Sequence, residues 1–132
     1  MKEFSIDNKI IARLIQPTDW IAGLSFLSQP DDFIQVGTWV YPEGKTICSH
    51  FHNPVSKSIS HTQEVLFVKS GSLKTVLFDF SNKPFEEIVL SEGDIIILLD
   101  GGHSFTILED NTQVLEIKTG PYSGSAEDKT NF

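Results

Sequence analysis

Short runs in which apolar and polar residues alternate fill most of this chain, and turn signals separate them at regular intervals. The runs 10–15, 33–40, 46–52, 64–69, 72–80, 86–90, 94–99, 104–108 and 113–118 are rich in β-branched and aromatic residues. Between them stand turn formers: Tyr41-Pro42-Glu43-Gly44, Ser70-Gly71, Ser81-Asn82-Lys83-Pro84, Ser91-Glu92-Gly93-Asp94, Asp100-Gly101-Gly102 and Glu109-Asp110-Asn111. This spacing predicts an all-β fold, an antiparallel sandwich or barrel. Helix is expected only within 17–27, with Thr18 or Asp19 as its cap. Residues 119–132, with Gly, Pro, Ser and charges, read as a tail that wraps the surface or frays.

Side chains two apart on a strand share a face. If His50 and His52 point inward, so do Thr46 and Cys48. Glu64 then shares a face with Leu66 and Val68, and His103 shares one with Phe105 and Ile107. The polar candidates thus lie on the faces that build the core. Val65 and Phe67 are apolar on the opposite face, which predicts a cover of another sheet or a second subunit. A homodimer is therefore expected, through strands near the N-terminus and side chains such as these.

A length of 132 residues favours one domain, taken here as 1–132 with a barrel core at about 33–118. Apolar residues make up 39%, ten of them Phe, which excludes general disorder. The net charge is −8 and Arg13 is the single arginine, so nucleic acid and anionic membranes are not expected partners. Cys48 is the single cysteine, so an internal disulfide is excluded and a reducing compartment is suggested. The N-terminal residues carry no apolar signal core, and no apolar stretch is long enough to span a bilayer. The expected location is cytoplasmic.

The chemistry concentrates in His50-Phe51-His52, Glu64 and His103, three of the four histidines and one carboxylate. Neutral imidazoles with one carboxylate suit a divalent transition metal, whether Fe, Mn, Ni, Cu or Zn. The alternative is a barrel that carries these residues without a metal. Cys48, one pleat from His50, reads as a small buried hydrophobe or as a soft ligand. His61 is a solvated loop histidine or a proton-transfer group, and it is the one candidate for a catalytic base. Trp20, Trp39, Tyr41, Phe105 and Tyr122 are core or interface aromatics, or a wall on which a sugar ring stacks. Arg13 is a surface charge, or a clamp for phosphate or carboxylate.

These residues resemble the cupin family. Its first motif, Gly, five residues, His-x-His, a short gap, Glu, six residues, Gly, is matched by Gly44, His50, His52, Glu64 and Gly71. The gap from His52 to Glu64 holds eleven residues, longer than the family pattern, so 53–61 reads as an enlarged loop. The second motif is matched in Gly93-Asp94 and Gly101-Gly102-His103, with Leu99 where the family has proline and one residue fewer. The resemblance spans roughly residues 36–118. It implies a jelly-roll barrel with one divalent transition metal on His50, His52, Glu64 and His103. The phrases Thr62-Gln63-Glu64-Val65-Leu66-Phe67-Val68 and Lys118-Thr119-Gly120-Pro121-Tyr122 are similar to small bacterial cupins found with surface-polysaccharide biosynthesis genes.

Three functions compete. One is a metal-dependent enzyme acting on a small polar metabolite such as a sugar derivative, of isomerase, epimerase or oxygenase type. Another is a non-catalytic cupin that binds or senses a small-molecule ligand through the metal. The third is a structural module whose metal only fixes the barrel. A nucleotide-sugar substrate is disfavoured, because a diphosphate wants several cations and only Arg13, Lys57 and Lys69 are candidates near the site.

Overall fold

The computed structural model describes residues 1–132 and is almost wholly β. Its strands are β1 (Lys2–Ile6), β2 (Lys9–Ile15), β3 (Gly23–Phe26), β4 (Gly37–Val40), β5 (Glu64–Ser70), β6 (Ser72–Phe78), β7 (Pro84–Ser91), β8 (Ile95–Leu98), β9 (Gly102–Ile107) and β10 (Gln113–Lys118). A single helical turn, α1 (Ser125–Asp128), lies in the tail. Every strand pairing is antiparallel. The strands form a five-stranded sheet in the order β1-β2-β8-β5-β10, a three-stranded sheet β7-β6-β9 and the pair β3-β4. None of the three closes on itself.

Local chemistry explains the sharp turns. Asp7 and Asn8 link β1 to β2 with φ of 48° and 67°. A two-residue hairpin turn of this hand needs positive φ at both positions, which Asp and Asn tolerate. Gly71 alone separates β5 from β6, which belong to different sheets. Its φ is +80°, and a Cβ there would lie 2.3 Å from Thr112 Oγ1 and 2.9 Å from Thr112 Cα, so only glycine fits this crossing.

The main core lies between the five-stranded and three-stranded sheets. Ala12, Leu14, Leu66, Val68, Ile96 and Leu98 come from the first sheet, and Leu73, Leu77, Ile88 and Leu90 from the second. A second cluster covers the opposite face of the five-stranded sheet. There Ile15, Val65, Ile95, Ile97 and Leu99 meet Leu27 and Ile34, with Val36 and Phe67 packed alongside. The cover expected over Val65 and Phe67 is therefore residues 27–36 of the same chain, and Val65 is buried without a second subunit.

Three further expectations are corrected. Helix in 17–27 is confined to a 3-10 turn, Pro17–Asp19, in which the Gln16 N–H donates to the Asp19 carboxylate at 2.8 Å. Gly23, at φ +88°, then turns the chain into β3. The run 46–52 is not a strand: residues 41–63 contain no regular secondary structure, and 41–61 are exposed throughout. Strand propensity reports fit to a half-buried pleated surface, and this run has no strand beside it. Arg13 is neither a surface charge nor a ligand clamp. It is 1% exposed and holds Glu3 at 3.0 Å and Asp32 at 2.6 Å.

β7 and β9 are the edge strands of the three-stranded sheet. β9 pairs with β6 on one side only. Phe105 and Ile107 lie opposite the buried Thr75 and Leu73, yet are 36% and 57% exposed.

Candidate functional site

Two sheets meet at Glu64 and His103. Glu64 opens β5 and stands opposite Leu98, which closes β8, and Lys118, which closes β10. His103 is the second residue of β9, opposite Leu77 of β6. The chain crosses from β8 to β9 through Leu99–Gly101. Gly101 has φ +75°, and a Cβ there would lie 2.9 Å from the Phe78 carbonyl oxygen, so the close approach requires glycine.

Glu64 is 5% exposed, and its carboxylate is fully engaged. Oε1 lies 2.5 Å from His103 Nε2 and Oε2 lies 3.2 Å from Lys118 Nζ. A carboxylate only accepts, so Nε2 is the donor in the first contact. Burial pushes the Glu64 pKa up. The hydrogen bond and charge of His103, joined by those of Lys118, outweigh it and hold the carboxyl at about 2. Burial lowers the Lys118 pKa, but its contact with Glu64 and then Glu116 raises it overall. Lys118 also faces Glu116 at 3.3 Å and Asp128 at 3.9 Å.

The pair opens into a cavity of about 790 Å³. That size suits a small-molecule ligand. His61, Asp100, Phe78 and Phe80 contribute to the wall, and residues 128–132 complete it. His61 Nε2 is 3.0 Å from the Leu99 carbonyl oxygen, and Nδ1 is 3.1 Å from Ser60 Oγ. A carbonyl cannot donate, so Nε2 carries a proton and a neutral ring has its lone pair on Nδ1. Phe33 packs edge-on to this ring, with centroids 5.0 Å apart.

The four predicted metal ligands fall into two pairs. Glu64 and His103 meet in the cavity. His50 and His52 adjoin each other, with ring centroids 5.4 Å apart, on the exposed segment that precedes β5. The four do not gather into one group. His50 Nδ1 is 2.9 Å from the Cys48 carbonyl oxygen. Nδ1 is therefore the donor, and Nε2 of a neutral ring is free as a ligand atom. Cys48 itself is exposed, not the small buried hydrophobe its position suggested.

The cavity wall differs from the expected one. Phe78, Phe80 and Phe132 supply its aromatic rings, while Trp20, Trp39, Tyr41 and Tyr122 are exposed elsewhere. Phe105 packs on His103 with centroids 5.2 Å apart. Lys118 and Lys129 are the lysines of the wall. Lys118 escaped the sequence reading because nothing local marks it. It is found only once β10 is set in register against β5. No helix is long and apolar enough to cross a membrane.

No family model matches the chain, and neither a curated protein nor a solved structure matches it at a significant level.

Proposed function

We propose that the protein is a metal-binding cupin whose centre is built on Glu64 and His103. The observation that carries this reading is the meeting of those two side chains from opposite sheets, at the end of a cavity of small-molecule size. Once the His103 Nε2 proton is released, Glu64 offers carboxylate oxygen and His103 imidazole nitrogen, donors that suit a divalent transition metal. His50 and His52 lie outside any strand in this structure, and in this reading they complete the set when metal binding draws 46–52 onto the free edge of β9. That addition covers Phe105 and Ile107 and closes the jelly roll. A strand also puts His50 and His52, two residues apart, on one face.

A metal so held supplies Lewis acidity toward a carbonyl or hydroxyl of the ligand. The favoured substrate is a small polar metabolite such as a sugar derivative, and the reaction is of isomerase, epimerase or oxygenase type. His61 is the base in this reading, through Nδ1. A second reading, a non-catalytic binding or sensory cupin, is favoured by the engagement of both His61 nitrogens in hydrogen bonds.

The test is metal content of protein purified without added metal, with identification of any co-purified small molecule. Wild type is expected to carry one metal, and His52→Ala and Glu64→Ala to lose most of it. Affinity should also fall below the ordinary His pKa of about 6.5, because the ligands must be deprotonated. Equal metal in wild type and both variants refutes the ligand assignment. Failure of wild type to bind Fe, Mn, Ni, Cu or Zn refutes the metal.

A further inference from the structure

Residues 128–132 form one wall of the cavity, and the tail segment that carries them is held at two points. Asp128, at the end of α1, accepts a hydrogen bond from Thr62 Oγ1 at 2.5 Å and faces Lys118 Nζ at 3.9 Å. Thr62 lies two residues before Glu64, and Lys118 is the partner of Glu64, so this latch grips the same strand ends that form the site. The second point is Phe132, whose ring stands edge-on to Phe78 with centroids 5.2 Å apart and planes at 86°. It occupies space left by Gly102, where a Cβ would lie 2.7 Å from Phe132 Cζ.

We propose that residues 125–132 are a strap that gates the Glu64–His103 site, so that a ligand enters when the strap lifts. This rests on the reading of Glu64 and His103 as the functional centre. The strap is cheap to lift. α1 is one turn of four residues with none buried. A helix that short has little stability of its own, and segments with few buried contacts open far more readily than the core. When it lifts, one wall of the cavity goes with it, because Asp128 to Phe132 all line the space. Glu64 and His103 are carried by β5 and β9 and stay where they are. The device therefore changes access without dismantling the site.

The probe is diethyl pyrocarbonate, applied to full-length metal-free protein and read at each histidine by peptide mass spectrometry. The exposed His50 and His52 serve as internal references. Losing one latch contact should raise the rate at His103, relative to His50, by about fivefold in Asp128→Ala, where a hydrogen bond is lost from the opening equilibrium, and in Phe132→Ala, where an aromatic contact of similar size is lost. A chain ended at Gly124 should show a larger rise. Backbone amides of β6 should keep their wild-type exchange rates in both point variants. Unchanged His103 reactivity in the two point variants overturns the proposal, whether or not the shortened chain folds. So does a rise at His103 that is matched by faster exchange along β6, since that is general loosening. The labelling uses protein without metal, so it can fail while the metal assignment stands, and the reverse.

Discussion

Replacement of Arg13 by alanine is expected to destabilise the fold by about 3 kcal/mol, the range for breaking a buried ion pair from one side. The guanidinium sits on the face of the five-stranded sheet that residues 27–36 cover. Nε donates to Glu3 on β1, and one terminal nitrogen donates to Asp32 in the covering segment. Asp32 also accepts the Gln29 N–H, so its carboxylate shapes the turn it belongs to. Alanine leaves Asp32 without a counter-charge at a site where its side chain is 13% exposed. It also removes the ion pair that ties the covering segment to β2, leaving Leu27 and Ile34 to hold it by packing. Urea unfolding at neutral pH measures the loss. Combining Arg13→Met with Asp32→Asn should recover part of it, because the stranded charge is gone. A loss below about 1 kcal/mol for Arg13→Ala would show that the pair contributes no more than an exposed one.

Glu64 should make stability depend on pH in the acid range. Its folded pKa, about 2, lies below the ordinary 4.5. A depressed carboxyl contributes its stability in full above the ordinary value and loses it as pH falls through the folded one. The window is therefore about pH 4.5 down to 2. Glu64→Gln removes this contribution. Wild type should exceed the variant by on the order of 2 kcal/mol at pH 6, allowing for solvent that reaches His103 and Lys118. The difference should shrink steadily towards pH 2. Urea midpoints at pH 6, 4 and 3 decide the matter. A gap that does not change with pH would mean that Glu64 stabilises by packing and not by charge.

The strands that are buried on at least one face were legible. Runs at 10–15, 64–69, 72–80 and 94–99 alternate or are rich in apolar residues, and each is a strand. β1 was missed because Lys2, Glu3 and Ser5 make it look polar, as befits an edge strand. β3 was read as helix because Gly23 signals a break in either state. The run 46–52 shows the opposite error: a strand-like pattern with no strand beside it. The meeting of Glu64 and His103 was legible from residue type and strand-end position. Lys118, Asp128 and Phe132 were not. Their roles depend on which distant segments are placed side by side, and that is a property of sheet order rather than of any local pattern.

Sheet order also sets when the site forms. β1-β2, β3-β4 and β6-β7 pair between neighbours in sequence. β2 must find β8, and β5 must find both β8 and β10, across much of the chain. Closing those long loops costs entropy before any contact offsets it, so such pairings come late and slowly. Glu64 lies opposite Leu98 and Lys118, in two of these late ladders. Protection of the Thr119 amide, which donates to the Gln63 carbonyl at the end of the β5-β10 ladder, should therefore trail that of the β1-β2 and β6-β7 hairpins during refolding, and the reverse order would refute this. A chain that has lost its last pairings keeps its local hairpins and loses the Glu64–Lys118 juxtaposition.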